Sequence, residues 1–92
     1  MSMENEMEDE RITAYVTTYA LTSGIQVVDA KVRHGISSEI IRYGSGIAHG
    51  KDWHRTPDAA LERAEEMRNA KIKSLHKSIA KLERMKFTIP KV

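Results

Sequence analysis

"TPDAALERAEEM" (residues 56–67) decides the fold, because it opens a helix at a defined residue. Thr56 is a favourable N-cap, Pro57 suits the first helical position, and the acid that follows complements the positive end of the helix dipole. Glycine and proline then do not occur before Pro90. We therefore predict one helix from 57 to about 86, roughly 45 Å long at about 1.5 Å per residue.

The residues before this helix have the composition of β-strands. "RITAYVTTYAL" (11–21) is rich in β-branched and aromatic residues, and "TSG" (22–24) supplies a turn in which glycine tolerates a positive φ. "IQVVDAKVR" (25–33) then alternates apolar and charged side chains, which is typical of a half-buried strand. The two segments predict a β-hairpin.

Two further strands are expected between the hairpin and the helix. The candidate segments are "EIIRY" (39–43) and "IAHGKDW" (47–53), separated by "GSG" (44–46). The glycines here either form turns and bulges or let the backbone of a partner approach closely. The expected fold class is therefore α+β, with a small antiparallel sheet of three to four strands within about 11–53, followed by one long C-terminal α-helix.

The composition is that of a single soluble domain. The chain has 92 residues, of which 40% are apolar and 30% charged, enough for one modest core. Its apolar runs are far shorter than the roughly 20 residues of a membrane span or the ~7 of a signal-peptide core. Neither membrane insertion nor secretion by a signal peptide is expected. Cysteine is absent, which suits a reducing cytoplasm.

Charge is distributed unevenly along the chain. Residues 1–10 hold five acids and no base, and they lack periodicity, so we predict a flexible acidic leader before a single domain at 11–92. Residues 67–92 hold eight basic residues and one acidic residue. A helix end with this charge attracts polyanions.

The predicted helix has one apolar face that is too long for the sheet. A four-stranded sheet is only about 20 Å across. Unless the helix runs along the strands, part of this face must therefore be buried by a partner or a second copy. The face consists of Leu61, Ala64, Ile72, Leu75, Ile79 and Leu82, with Met67 and Met85 at its edge.

The side opposite the apolar face carries a cationic ridge. At about 100° per residue, its four cations fall within an arc of roughly 80°. They are Lys73, Lys77, Lys81 and Arg84, and Lys71 is a neighbouring base. Such a ridge is either a solvated face or a contact surface for an anion. The i,i+4 spacing of like charges, with no acid among them, counts against a purely solvated face, but charge and spacing leave both interpretations open.

"HGKDWHR" (49–55) is a second candidate contact, since Trp53 lies between Lys51 and Arg55. Aromatic residues among cations suit base stacking with phosphate contact, or an interface. The alternative is that Trp53 packs as core at the start of the helix. Arg33, on the predicted second strand, is included as a further basic contact.

Catalytic and metal sites are not predicted. His49, Asp52 and His54 lack the spacing of known metal sites. Ser and His occur without a nucleophile elbow, an oxyanion loop or paired carboxylates, and "GSG" lacks the rest of a phosphate-binding motif. We expect no enzyme activity, no metal and no cofactor.

Three segments carry a resemblance to a known family: "YVTTYALTSGI" (15–25), "AHGKDWHRT" (48–56) and "ALERAEEMRNAKIKSLHKSIAKLERMKF" (60–87). The sequence resembles small phage and mobile-element proteins, and among them the phage-encoded anti-CRISPR proteins that inhibit the type I-F (Csy) surveillance complex. The resemblance covers nearly the whole chain after the acidic leader. It carries no family motif that assigns individual contact residues.

The resemblance implies a non-enzymatic inhibitor in the cytoplasm of the infected bacterial host. Such an inhibitor docks on the crRNA-bearing complex, near the junction of the backbone subunits with the large and tail subunits, and keeps target DNA from hybridising with the guide. The crRNA itself is a further candidate contact. Anti-CRISPR proteins that imitate DNA are strongly acidic, whereas this chain is basic beyond its leader, which favours blocking the nucleic-acid path.

Two other interpretations remain open. The chain is a general nucleic-acid-binding accessory protein of a phage or mobile element if the ridge contacts phosphates of free DNA or RNA. It is a homodimeric scaffold if Ile72, Leu75, Ile79 and Leu82 pair two helices and the cations only keep it soluble. The inhibitor interpretation is favoured over both.

Overall fold

The computed structural model describes residues 10–34 and 39–91. Its elements are β1 (Glu10–Val16), β2 (Gln26–His34), β3 (Glu39–Tyr43), β4 (Gly46–His49), β5 (Trp53–His54) and α1 (Pro57–Arg84). The five antiparallel strands form one curled sheet in the order β4-β3-β2-β1-β5, and the long helix follows. This confirms the predicted α+β class.

The first strand is shorter than its composition predicts. β1 ends at Val16 rather than at residue 21, and turns occupy 18–23. The carbonyl of Tyr19 accepts hydrogen bonds from the backbone nitrogens of Thr22, Ser23 and Gly24 at 3.1, 2.8 and 3.2 Å, which winds this segment into a turn. Gly24 has a φ of +89°, so the predicted role of glycine in this turn is confirmed.

The segment 47–53, predicted to be a single fourth strand, is divided between the two edges of the sheet. β4 pairs with β3, a short 3-10 turn at Gly50–Asp52 follows, and β5 then pairs with β1. Gly50 has a φ of +48°, a conformation that glycine adopts without steric cost. The sheet therefore has five strands. At Gly50, the interpretation that the glycines of this region form turns is confirmed.

The core lies inside the curl of the sheet. All five strands contribute buried side chains, and Ile41, Val16 and Val32 are the largest apolar side chains that are fully buried. Trp53 Nε1 donates to the carbonyl of Glu39 at 3.4 Å, which links β5 to β3 on the inner side. The whole buried cluster is Ala14, Val16, Ala30, Val32, Ile41, Ala48 and Trp53.

The start of the domain differs by one residue from the predicted boundary. Glu10 was assigned to the acidic leader, but it is the first residue of β1 and pairs opposite Val32. The other nine residues of that leader lie outside the described residues.

The helix begins where the sequence predicts. Thr56 caps it, its Oγ1 accepting from the backbone nitrogen of Ala59 at 3.1 Å, and Pro57 is the first helical residue. The last helical residue is Arg84, two before the predicted end. The first turns of α1 pack against β5 and β1, and Ala60 is fully buried there. The rest projects from the sheet, which gives the molecule extents of 79 × 32 × 22 Å.

Candidate binding surfaces of the helix and the sheet

The first half of α1 uses a narrow packed face against the sheet. This packed face consists of Ala60, which is fully buried, and Ala64 and Met67, which are partly buried. At about 100° per residue, Leu61 lies roughly a quarter turn away from Ala60 and is 56% exposed. The next positions on the packed face are polar and exposed: Lys71, Ser74 and Ser78. The packed face therefore ends with the first half of the helix.

The second half of α1 carries a separate apolar seam, which consists of Ile72, Leu75, Ile79 and Leu82. These side chains are between 44% and 63% exposed, and the seam lies about 90° around the helix from the packed face. The single apolar face predicted from the sequence is thus two faces. The packed face meets the sheet, whereas the side chains of the seam remain about half exposed.

The cationic ridge is exposed along its whole length. Arg63 pairs with Glu66 at 3.4 Å and Arg68 pairs with Glu65, so cations in the first half of the helix have acidic partners. Among the described residues, no ion pair involves Lys73, Lys77, Lys81 or Arg84. The ridge offers uncompensated positive charge on the half of the helix that projects from the sheet.

A second basic surface lies on the outer face of the sheet. The strand register places Arg11 opposite Lys31 and Lys31 opposite Arg42, so three cations form a row across β1, β2 and β3. Like charges directly opposite one another destabilise a sheet. Arg11 is partly compensated by Asp29, at 3.3 Å. With Arg33, two residues along β2 from Lys31, these side chains are the outer-sheet cations.

Sequence reasoning missed three of the four outer-sheet cations and named only Arg33. The alternation of "DAKVR" (29–33) indicates that its charged residues share an exposed face. Strand order and register, which bring Arg11 and Arg42 into the same row, depend on long-range pairing. A one-residue change of register would move a whole strand's side chains to the other face.

Trp53 and Arg55 form a contact within the domain. Trp53 is only 7% exposed and belongs to the core, and the guanidinium of Arg55 lies 5.4 Å from its ring centroid. Arg55 also pairs with Glu10 at 3.1 Å and with Glu39 at 3.5 Å. The hydrogen bonding of Arg55, as donor, to the carboxylate of Glu10 is the main reason why the pKa of Arg55 is raised. These contacts favour the core alternative for Trp53.

An open pocket of about 400 Å³ lies between β5 and the start of α1. Its lining residues are Lys51, His54, Ala59, Glu62, Arg63 and Glu66. Burial, and next the charge of Arg63, lowers the pKa of His54. The Nε atom of Arg63 is buried and has no hydrogen-bond partner in the described part of the chain. The pocket lining thus contains two acids, two bases and a histidine whose lowered pKa favours its neutral form.

A hydroxyl and an imidazole meet beside this pocket. Thr17 Oγ1 donates to the carbonyl of Lys51 at 3.4 Å and lies 3.2 Å from His54 Nε2. Because the hydroxyl has one proton, the histidine nitrogen must be the donor in the second contact. Thr17 is completely buried, so its oxygen cannot reach a substrate. The pair is structural and fixes the 3-10 turn against the end of β1.

The residues singled out from the sequence fall into four places. Lys71, Lys73, Lys77, Lys81 and Arg84 all lie on the projecting helix, but Lys71 is on the side that continues the packed face, away from the ridge. Trp53 and Arg55 lie at the inner side of the sheet, Lys51 lines the pocket, and Arg33 lies on the outer face. The four ridge cations are therefore brought together, whereas Lys71 and the segment 49–55 do not extend the ridge.

Within the residues that the structure describes, no group of three or more His, Asp or Glu side chains could hold a metal ion. In the same ranges, no helix has the length and hydrophobicity needed to cross a membrane. Comparison with protein-family models, with curated protein sequences and with solved structures found no significant match.

Proposed function

We propose that this chain is a non-enzymatic inhibitor that binds the crRNA-guided type I-F surveillance complex through its cationic ridge and blocks hybridisation of target DNA. The observation that carries the proposal is the ridge. Its four exposed cations have no ion pair among the described residues, and they lie on the half of α1 that projects from the sheet. The choice of complex rests on the resemblance of three segments to anti-CRISPR proteins of this type.

The dimensions of the ridge suit a nucleic-acid backbone. From residue 73 to 84 the ridge is about 17 Å long, at roughly 1.5 Å per residue. Lysine and arginine side chains that neutralise phosphates displace counterions, which makes binding dependent on salt. A helix held against the guide by such contacts would occupy space that the target strand needs. Inhibition by this route requires only that the helix is correctly positioned and that the ridge is positively charged.

The proposal is tested by reversing the ridge. A variant with Lys73, Lys77, Lys81 and Arg84 all changed to Glu should keep its helix, because Glu and Lys have similar helix propensity. It should lose its affinity for the crRNA-loaded complex in a titration at several salt concentrations. The wild type should show a salt slope of about 0.7 per phosphate contact on single strands. A folded variant that binds and inhibits like the wild type would contradict the proposal.

A second candidate function is binding of free nucleic acid, and the outer-sheet cations favour it. Two basic surfaces, one on the helix and one on the sheet, suit a protein that contacts phosphates without needing a specific assembly. The same titration should then be made with free duplex and free single-stranded DNA. Loss of affinity for free DNA in a Lys31→Glu, Arg42→Glu double variant, with binding to the complex retained, would separate the two functions.

A further inference from the structure

We infer that two copies of this chain associate through the apolar seam as a parallel two-stranded coiled coil. The inference concerns the side of α1 opposite the ridge and does not rest on the proposed function. Counted as heptads, the seam has Ile72 and Ile79 at position a and Leu75 and Leu82 at position d. Isoleucine at a with leucine at d is the combination that favours parallel dimers over higher oligomers.

The heptad also accounts for the position of the cations. Lys73 falls at position b, Lys77 and Arg84 at f, and Lys81 at c, which are the outward positions of a two-stranded coiled coil. Pairing along the seam therefore buries the four exposed apolar side chains and leaves both ridges on the outside. The two clusters of positive charge point away from each other, so they do not oppose the association.

The sheets leave room for this pairing. The packed face, which holds the sheet, lies about 90° around the helix from the seam. Around a two-fold axis parallel to the helices, the two sheets then lie on opposite sides of the pair. The sheet, the second copy and an anionic partner can each use a different face of α1.

Charged residues flank the seam at the preceding core positions. Continued toward the N-terminus, the heptad places Glu65 at a and Arg68 at d. In a parallel pair each core position faces the same position of the second copy, so Glu65 would face Glu65 and Arg68 would face Arg68, although the two side chains also pair within one chain. In an antiparallel pair centred on the seam, Arg68 would lie near Lys86, so like charges would meet there as well. The parallel direction therefore rests on isoleucine at a with leucine at d.

The test measures the molar mass of the intact protein alone by light scattering or sedimentation, from about 1 µM to about 200 µM, where a weak dimer changes its population. The wild type should shift from monomer to dimer, and Ile79→Asp should stay monomeric at every concentration. Ala70→Asp adds the same charge at an f position and should dimerise like the wild type. Because Ile79 is 51% exposed, the Asp variant should stay folded by circular dichroism. A wild type that is monomeric at the highest concentration would overturn the inference.

The direction of pairing is tested with single cysteines, since the sequence contains none. Arg68→Cys, at a d position, should form a disulfide between two copies under mild oxidation, whereas Lys77→Cys, at f, should not. A dimer in which Arg68→Cys fails to cross-link would overturn the parallel arrangement. The ridge reversed to Glu should still dimerise, so failure to bind the surveillance complex and failure to dimerise are distinguishable results.

Discussion

Arg55 holds Glu10 with two guanidinium nitrogens, Nη1 to Oε2 at 3.1 Å and Nη2 to Oε1 at 3.2 Å. The pair joins the first residue of β1 to the residue that follows β5, and Nη2 also lies 3.5 Å from Glu39 at the start of β3. One arginine therefore connects three strands over the ring of Trp53. These contacts lie beside the core and tie the starts of β1 and β3 to the residue that follows β5.

We expect Glu10→Gln to lower the free energy of unfolding by up to about 1 kcal/mol, because the pair is bidentate but partly exposed. The loss should shrink in ~1 M salt, where screening is strong. Glu83→Gln, an exposed acid without an ion pair in the described part of the chain, is the matched control and should change little. Chemical denaturation of both variants measures the difference, and equal effects would contradict a role for the pair.

Thr17→Val should destabilise the protein by about 1–2 kcal/mol, since it removes a buried hydroxyl that serves both Lys51 and His54 and leaves their polar atoms without this partner. The backbone bond from Thr17 nitrogen to the Asp52 carbonyl, at 2.8 Å, is retained. Thr18→Val changes an exposed neighbour of the same type and should be nearly neutral. Equal unfolding midpoints for the two variants would show that the buried contacts contribute nothing.

The stability should depend on the protonation of His54. Burial lowers its pKa below the ordinary value of 6.5, so the unfolded chain binds the proton more readily than the folded one. The free energy of unfolding should therefore fall as the pH drops below about 6.5, until the folded-state pKa is passed. His54→Gln should flatten this part of the curve, whereas His76→Gln, on the exposed half of α1, serves as control. A wild-type slope that persists in His54→Gln would assign it to another group.

Lys31→Glu should raise the free energy of unfolding by about 0.5 kcal/mol. Residue 31 lies opposite both Arg11 and Arg42, so the substitution turns two like-charge cross-strand pairs into two opposite-charge pairs. Lys51→Glu, at an exposed site outside the row, should not give this gain. Thermal or denaturant unfolding at low salt checks both. A destabilised Lys31→Glu would mean that the row is already compensated.

Ile41→Ala should cost about 2–5 kcal/mol, because Ile41 is fully buried in the core of the sheet. Ile79→Ala, measured at low micromolar concentration, should cost about 0.5 kcal/mol or less in the monomer, because half of that side chain is already in water. Similar losses in the two variants would contradict the separation of the sheet core from the apolar seam. The same chemical change thus reports on two different environments.

Local signals in the sequence were sufficient for the start of the helix, and they placed its end within two residues. Thr56 and Pro57 define its start, and the scarcity of helix breakers defines its length. The end of β1 was missed because Thr17 and Thr18 have strand-like composition, while three hydrogen bonds to the Tyr19 carbonyl determine the turn. Composition alone does not reveal such a turn, because β-branched residues are compatible with either structure.

The candidate surfaces show the same division between local and long-range information. The ridge could be predicted because its residues share one helix and their spacing fixes their direction. The row of Arg11, Lys31 and Arg42 could not, because it requires the register of three strands. The separation of the seam from the packed face needed the position of the sheet, which contacts α1 around Ala60 and not around Leu61.

Beyond residue 67, the helix packs little against the sheet. The fraction of the chains in which these turns are helical can therefore vary. About 15 residues is the length at which an isolated helix becomes marginal in water, so these turns can open while the sheet stays intact. A partner must then supply the free energy that keeps them helical, and its apparent affinity is reduced by the unfolded fraction. Ser74→Ala and Ser78→Ala would raise helix content outside the seam and the ridge. Substitutions at helix residues that do not contact the partner can therefore change the affinity of the helix for that partner.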